Sequence, residues 1–293
     1  MGRLPTWLIV AAVGALVALA AADALRPIDE SSPGTPVAET TAPNLEGVLV
    51  VGPSCSVRAL RLPDLLEVQA PRQTDCGGLV WSDDGTLNAS CADGYTDVGT
   101  SEGRHVFRIG GCAPAWREDG SVSVIRDGEL FTARRRGSPR IFFSREQLAQ
   151  GLAGRVPRGE RFELVEVAWL TLTNFAAIVR GPHPWERAVA FLSPGGAGTL
   201  VPELGQRVSD LRVSPLGNVA FARNQLEREF VMVTDAGVEV PLPRIANART
   251  IAWSPDEEWV ALATRTATFI ARTGSRRVAF RVPAGGDTLA WLP

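Results

Sequence analysis

Apolar and polar positions along most of this chain keep returning to one short phrase. A run of apolar residues ends on a tryptophan and is followed by a polar turn rich in Ser, Pro, Asp and Gly. The clearest copies read LVWSDDG (residues 79–85), PAWREDG (114–120) and IAWSPD (251–256), and weaker copies surround Trp169, Val213 and Trp291. The central positions recur about every 40 residues, a spacing typical of proteins built from repeated small sheets.

Each phrase predicts an apolar strand, a tight turn and a returning strand. Asp-Gly is a preferred hairpin dipeptide because Gly accepts a positive φ and Asp can bond to its own backbone. The returning strands are followed by a third and often a fourth, as at residues 230–233 and 238–241. Four short antiparallel strands per unit predict an all-β, six-bladed β-propeller, in which the indole of each innermost strand fills the wedge between two blades.

The two ends of the repeat region predict how the ring closes. Residues 288–292 form a Trp-bearing strand with no outer strands after it, whereas residues 48–51 and 57–60 form outer strands with no Trp strand before them. Pairing the last strand with the first outer strand completes the sixth blade from both ends of the chain. Such closure removes the open edges that a partial ring would leave.

At the level of these motifs the chain resembles TolB-like, WD-repeat-like propellers, whose strand and turn read roughly apolar-x-Trp-Ser-Pro-Asp-Gly. Residues 251–256 match best, residues 211–217 replace the Trp with Val213, and the copy at Trp169 lacks the Ser-Pro-Asp-Gly turn. The resemblance covers residues 47–293. It implies a fold and not a function, because such propellers serve as enzymes, scaffolds and receptors.

The N-terminal region predicts export. Arg3 precedes an apolar run over residues 7–22, so residues 1–24 are interpreted as a signal anchor that forms a transmembrane helix, or as a cleaved signal peptide. The charge flanking the run places the rest of the chain outside the cytoplasm, as a single-pass membrane protein or, after cleavage, a secreted one. Residues 25–46, rich in Pro, Ser and Thr, are predicted to be a flexible linker, and residues 47–293 the propeller.

Four cysteines recur in phase with the blades, at Cys55, Cys76, Cys91 and Cys112. An even set outside the cytoplasm favours disulfides, and the spacing lacks the close Cys pairs typical of a zinc site. Three pairings are possible. The equal separations predict Cys55–Cys76 and Cys91–Cys112, each pair on one face of one blade, with Cys76–Cys91 as the alternative.

Connections of unequal length predict a binding face. The turns between first and second strands, and most between third and fourth, are short and share one face, here called the tight-turn face. Longer connections at residues 92–104, 144–161, 181–187 and 223–229 share the opposite, long-loop face. Loops that lengthen on one face often carry binding residues. The candidate ligand-binding residues on this face are Tyr95, Arg145, His183 and Trp185.

Motifs for chemistry are missing from the sequence. The two histidines, His105 and His183, have no recognisable acid-and-nucleophile spacing, and no phosphate loop, dinucleotide fingerprint or calcium loop occurs. We therefore predict no catalytic residues, cofactor or metal, and the formal net charge of −2 gives no reason to expect nucleic acid. The favoured function is non-enzymatic binding of a protein or cell-envelope ligand. The alternative is a hydrolase or lyase acting on glycan or peptide in the propeller funnel.

Overall fold

The computed structural model describes residues 45–53, 56–70, 80–82, 84–135, 137–153, 162–181, 187–195, 198–201, 208–223 and 228–292. These residues form six four-stranded antiparallel sheets and one short helix. In every sheet the strand at one edge borders a common central cavity, so the sheets are the blades of a ring. The six-bladed propeller predicted from the repeat is confirmed.

The strands of each blade are given from the central axis outward. Blade 1 contains β24 (Thr288–Leu292), β1 (Val48–Gly52), β2 (Arg58–Arg61) and β3 (Leu66–Val68), and blade 2 contains β4 (Val80–Trp81), β5 (Leu87–Ala92), β6 (Tyr95–Thr100) and β7 (His105–Gly110). Blade 3 contains β8 (Cys112–Trp116), β9 (Val122–Arg126), β10 (Glu129–Ala133) and β11 (Arg140–Phe143), and blade 4 contains β12 (Glu163–Trp169), β13 (Phe175–Arg180), β14 (Arg187–Leu192) and β15 (Gly198–Leu200). Blade 5 contains β16 (Val208–Val213), β17 (Val219–Arg223), β18 (Glu229–Val233) and β19 (Glu239–Val240), and blade 6 contains β20 (Thr250–Trp253), β21 (Trp259–Ala263), β22 (Thr268–Arg272) and β23 (Val278–Val282).

The ring closes as predicted from the incomplete units at the two ends of the repeat region. Strand β24 pairs antiparallel with β1, with Val48 opposite Leu292 and Val51 opposite Leu289. The last strand of the chain is thus the innermost strand of the blade that the first strand begins. Because β24 pairs with β1, the inner edge of β1 is not left unpaired.

The repeated tryptophans fill the wedges between blades. Trp116 of blade 3 donates from Nε1 to the Val80 carbonyl of blade 2 at 3.0 Å, and Trp169 of blade 4 donates to Ser123 Oγ of blade 3 at 2.8 Å. Trp253 likewise lies in a core cluster with side chains of blade 5. Each of these indoles therefore packs against the preceding blade, so a blade depends on its neighbour for part of its buried core.

Helix α1 (Arg145–Gly151) lies in the connection between blades 3 and 4. Ser144 is its N-cap and forms a capping box with Gln147. Leu148 and Leu152 are buried in the same cluster as Trp169. The helix therefore covers the junction between these two blades.

The predicted anchor (residues 1–24) and most of the predicted linker (residues 25–46) lie outside the described residues. Within the described part of the chain, no helix is long and apolar enough to span a membrane. The boundaries at residues 24 and 46 stay predictions.

Candidate functional site

A central cavity of about 700 Å³ runs between the innermost strands of the blades. Its wall includes the Trp positions of the repeat and the polar turns that follow them: Trp81, Trp116, Trp169, Val213, Trp253, Trp291, Ser82, Ser214 and Pro255. At the other end of the cavity lie Thr250, Asp287 and Thr288, which stand where the innermost strands begin. The cavity thus extends from the tight-turn face toward the long-loop face.

Charged side chains of alternating sign form an arch of ion pairs beside this cavity, and two of them, Arg212 and Asp287, line its wall. Glu166 of β12 lies 3.4 Å from Arg212 of β16, between Oε1 and Nη1. The arch continues through the ion pair of Arg228 with Asp210 and through that of Arg249 with Asp287. The Glu166–Arg212 pair joins blades 4 and 5, and the Arg249–Asp287 pair joins blades 6 and 1. Between them, Arg228 of blade 5 donates a hydrogen bond to the Arg249 carbonyl at 2.9 Å. The cavity wall thus offers a guanidinium and a carboxylate to a polar ligand group.

Irregular pairing in the innermost strands brings the arch together. The register of β12 shifts between Leu164 and Glu166, and that of β16 shifts between Ser209 and Arg212, where Asp210 has a φ of 56°. A β-bulge changes the direction of the side chains beside it, which in a regular strand would alternate between the two faces of the sheet. Glu166 then accepts a hydrogen bond from the Leu211 amide at 2.9 Å.

Burial raises the pKa of the Glu166 carboxyl to about 7, against the opposing effect of the Arg212 charge. The negative charge of Asp210 also raises this pKa. Since an ordinary Glu has a pKa near 4.5, the protonation of Glu166 changes much closer to neutral pH than that of an exposed glutamate. A group with such a pKa could donate or accept a proton, and about a quarter of the side chain is accessible (24%).

The acidic hairpin turns, by contrast, are occupied by local hydrogen bonds. The Ser82 hydroxyl donates to Asp84 at 2.7 Å and the Thr86 amide donates to it at 3.1 Å, and these bonds lower the pKa of Asp84. Burial would raise the pKa of Asp119, but hydrogen bonds from Ser121 and Arg134 outweigh it and lower that pKa to about 2. Across the described ranges, no group of three or more His, Cys, Asp or Glu side chains is placed to hold a metal ion.

Two of the four candidate binding residues lie within the described residues, and both are on the long-loop face. Tyr95 follows the turn between β5 and β6 and is half exposed (50%), with the Arg108 guanidinium 5.8 Å from its ring centroid. Arg145 begins helix α1 and donates from Nε to the Asp127 carbonyl at 2.7 Å. His183 and Trp185 lie outside the described residues, so the predicted site stays a prediction.

Residues 92–104 differ from their predicted form. They contain strand β6 between two short turns and are not a long loop. The strand reads YTDVGT, and its buried Asp97 accepts hydrogen bonds from Arg108 Nε at 2.7 Å and Nη2 at 2.6 Å. His105 Nε2 lies 3.4 Å from the same carboxylate, in the outermost strand of blade 2. These groups lie away from the central cavity.

The predicted Cys91–Cys112 disulfide is present, with Cα atoms 5.3 Å apart, within the usual range for a disulfide. It joins the end of β5 in blade 2 to the start of β8 in blade 3. The pairing was right, but the bond connects two neighbouring blades and not two strands of one blade. Cys55 and Cys76 lie outside the described residues, so their pairing stays a prediction.

Comparison with known proteins bears on the fold. No protein-family model matches the sequence, and no curated protein matches it. Among solved structures, TolB from Acinetobacter baumannii has 13% identity and a TM-score of 0.52, covering 84% of this chain and 67% of that one. Apo AztD from Citrobacter koseri has 9% identity and a TM-score of 0.54, covering 84% of this chain and 97% of that one.

A protein of unknown function from Bacteroides caccae is similar to the same degree, with 10% identity, a TM-score of 0.54, and coverage of 84% of this chain and 99% of that one. At these identities the likeness concerns architecture alone. The resemblance predicted from the Trp repeat is therefore confirmed at the level of the fold, which is that of a TolB-like six-bladed propeller.

Proposed function

We propose that this protein is a non-enzymatic, extracytoplasmic propeller that binds a protein or cell-envelope ligand through its long-loop face. The proposal rests on the partners that the acidic side chains have in the described part of the chain. The acids of the arch face arginines, and the acids of the hairpin turns are bonded to hydroxyls. His105 and Asp97 stand in outer strands, away from the cavity. Such an arrangement favours binding over acid–base chemistry.

Two features support a location outside the cytoplasm. The Cys91–Cys112 bond belongs to an oxidising compartment, because cytoplasmic thiols are kept reduced. The sequence of residues 1–24 has the charge and apolar pattern of a signal anchor. Protease protection of the full chain in membrane vesicles, with the intact mass of the mature protein, tests the location and the cleavage together. A domain that faces the cytoplasm would contradict the proposal.

The binding face is tested by capture from the native envelope with the full chain as bait. We expect capture to be lost when residues 181–187 are shortened to a tight turn, and to weaken in the Tyr95→Ala, Arg145→Ala double variant. Val238→Ala, on the tight-turn face, is the matched control. Equal capture by all three variants would exclude the long-loop face as the binding surface.

A hydrolase or lyase acting in the funnel is the second candidate, and Glu166 is the observation that favours it. A carboxyl with a pKa near 7 that is paired with Arg212 of the cavity wall has the property that a general acid needs at neutral pH. Incubation of the full chain with cell-wall glycan and peptide fragments, compared with Glu166→Gln, tests this candidate. Turnover that the substitution abolishes would replace the binding proposal with the enzymatic one.

A further inference from the structure

Blade 5 departs from the other blades where its innermost strand borders the central cavity. The residue before the tryptophan of the repeat is Ala or Val in the other five blades, and in blade 5 it is Arg212. The tryptophan itself is replaced by Val213, and both residues line the cavity. Blade 5 therefore presents a guanidinium and a smaller side chain in place of a small apolar residue and an indole ring.

The charge of Arg212 depends on Glu166 for its balance. Nη1 of Arg212 donates to the Leu211 carbonyl at 2.8 Å and lies 3.4 Å from Glu166 Oε1. About a third of the Arg212 side chain is accessible (36%), so a ligand in the cavity can reach it. A carbonyl does not neutralise a guanidinium, so the positive charge of Arg212 is balanced when Glu166 is ionised and unbalanced when Glu166 is protonated.

The neighbouring acids of the arch have arginines of their own. Asp210 forms an ion pair with Arg228, and Asp287 Oδ1 lies 2.5 Å from Arg249 Nη1. With Glu166 ionised, the three acids and three arginines of the arch balance one another. With Glu166 protonated, one positive charge remains beside the cavity, and it is the charge of the arginine that lines the wall.

The surroundings of Glu166 keep its carboxyl close to half protonated at neutral pH. Burial raises its pKa to about 7, the charge of Arg212 opposes this shift, and the charge of Asp210 adds to it. Strand β8, which packs against β12, carries no acid or base. The charged side chains of the other strands that pack against β12 have contacts elsewhere: Arg180 with Glu163, Glu129 with the Arg145 amide, and Arg126 with the Phe131 ring.

The rest of the cavity wall determines what kind of anion fits. Five tryptophans of the repeat line it together with Leu170 and Leu289, with hydroxyl side chains between them, and its volume of about 700 Å³ is that of a small-ligand site. Glu118 also lines the wall, but it is exposed in the turn after β8, and blade 4 lies between that turn and Arg212. A single unbalanced guanidinium suits a carboxylate, with one negative charge, better than a phosphate with two. The apolar part of the wall suits an uncharged, apolar body attached to that carboxylate.

We propose that the central cavity binds the carboxylate of its ligand at Arg212, and that Glu166 takes up a proton when the ligand binds. The ligand carboxylate then replaces the Glu166 charge beside the guanidinium, and the proton keeps the neighbouring carboxyl neutral. This inference rests on the proposed binding function and gives the ligand a chemical class, a carboxylate on an uncharged, apolar body. Because binding requires the proton, the affinity falls as the pH rises through neutrality.

The test uses the full chain and three probes that share one apolar body: 3-phenylpropanoate, its uncharged amide 3-phenylpropanamide, and the cation 3-phenylpropylammonium. Isothermal titration calorimetry at pH 6, 7 and 8, in two buffers of different ionisation enthalpy, measures the affinity and the number of protons taken up. The parent is compared with Glu166→Gln and Arg212→Gln. Glu163→Gln is the matched control, because it removes an acid of the same strand that is paired with Arg180. Thermal unfolding of each variant shows that it is folded.

We expect 3-phenylpropanoate to bind the parent about tenfold more tightly at pH 6 than at pH 8, because the protonated fraction of a carboxyl with a pKa of about 7 falls by about that factor. Proton uptake should accompany binding at pH 7. Glu166→Gln should bind the carboxylate equally at all three pH values and without proton uptake, and Arg212→Gln should bind it many-fold more weakly than the parent at pH 6. Glu163→Gln should behave like the parent, and the amide should bind without pH dependence.

Several results would overturn the inference: no binding of 3-phenylpropanoate at any pH, an affinity that does not change with pH, the same pH dependence in Glu166→Gln as in the parent, or tighter binding of the ammonium probe. Capture from the native envelope by the parent separates this failure from that of the proposed function. Capture without carboxylate binding removes this inference and leaves the function. Proton-linked carboxylate binding by a chain that captures nothing leaves this site and removes the function.

Discussion

Replacing Glu166 with Gln should make the protein more stable at neutral and alkaline pH. The side chain is mostly buried beside Arg212, and its pKa is raised from 4.5 to about 7, chiefly by burial. The carboxylate is therefore harder to form in the folded protein than in the unfolded chain. A Gln amide keeps an oxygen to accept the hydrogen bond of the Leu211 amide and never carries the charge.

The sign follows from proton binding. Between pH 4.5 and about 7 the folded protein holds a proton at Glu166 that the unfolded chain has lost, so the free energy of unfolding falls as the pH rises through this window. A shift of this size corresponds to at most about 3 kcal/mol. Since 24% of the Glu166 side chain is accessible, water partly hydrates the carboxylate. We therefore expect the loss in the free energy of unfolding to be about 1–2 kcal/mol.

Denaturant unfolding of parent and variant across pH 4 to 9 measures the difference. The two proteins should have equal stability near pH 4, separate through neutral pH, and stay a constant interval apart above it. Glu163→Gln is the matched control, because Glu163 is in the same strand, is more exposed and has a lowered pKa from its bond with Arg180. A variant that is less stable than the parent at pH 8 would refute this account and show that the ion pair with Arg212 outweighs the cost of burying the charge.

Three further changes test the closure and the contacts between blades. Ending the chain before Thr288 should cost several kcal/mol of stability, because it removes the strand opposite β1 and empties the site of Trp291; an unchanged melting temperature would contradict the closure. Replacing Cys91 and Cys112 together with Ser should lower the free energy of unfolding by about 3 kcal/mol, as measured by thermal unfolding. A reducing agent should remove the same contribution from the parent protein and should not remove it again from the double variant. Glu257→Ala should lower the free energy of unfolding in denaturant by about 2 kcal/mol. The reason is that the buried Glu257 carboxylate accepts hydrogen bonds from the Leu216 amide and from Asn218 Nδ2, the latter at 2.7 Å, in the turn of the neighbouring blade. Glu258→Ala, on the exposed side, should leave the stability almost unchanged.

The architecture could be predicted because its determinants are local and repeated. Each strand-turn phrase encodes its own hairpin, and the Trp in it encodes the contact with the preceding blade, as at Trp116 and Trp169. Closure followed from two incomplete units at the ends of the chain. The fold was therefore readable from the period of one motif, without knowledge of any long-range contact.

The arch of ion pairs beside the cavity could not be predicted in the same way. Glu166 and Arg212 are far apart in sequence, and irregular pairing in two different strands places them together. Strand β6 was missed for a related reason. Its polar residues Thr96 and Asp97 are buried through hydrogen bonds, so the apolar alternation that marks a half-buried strand is absent.

One signal for the arch was nevertheless present in the repeat. The residue before the Trp is Ala115, Ala168, Ala252 or Ala290 in four of the blades, and Val80 in a fifth. In blade 5 this position is Arg212, and the Trp itself is replaced by Val213. A repeat built only for packing gains nothing from a guanidinium at a position that otherwise holds a small apolar residue. The same strand also carries Asp210 in a left-handed conformation, which costs backbone energy. Three departures from the packing pattern thus fall within four residues, and two of them, Arg212 and Val213, border the central cavity. Strand β16 is therefore the first strand to substitute when the ligand of the long-loop face is sought.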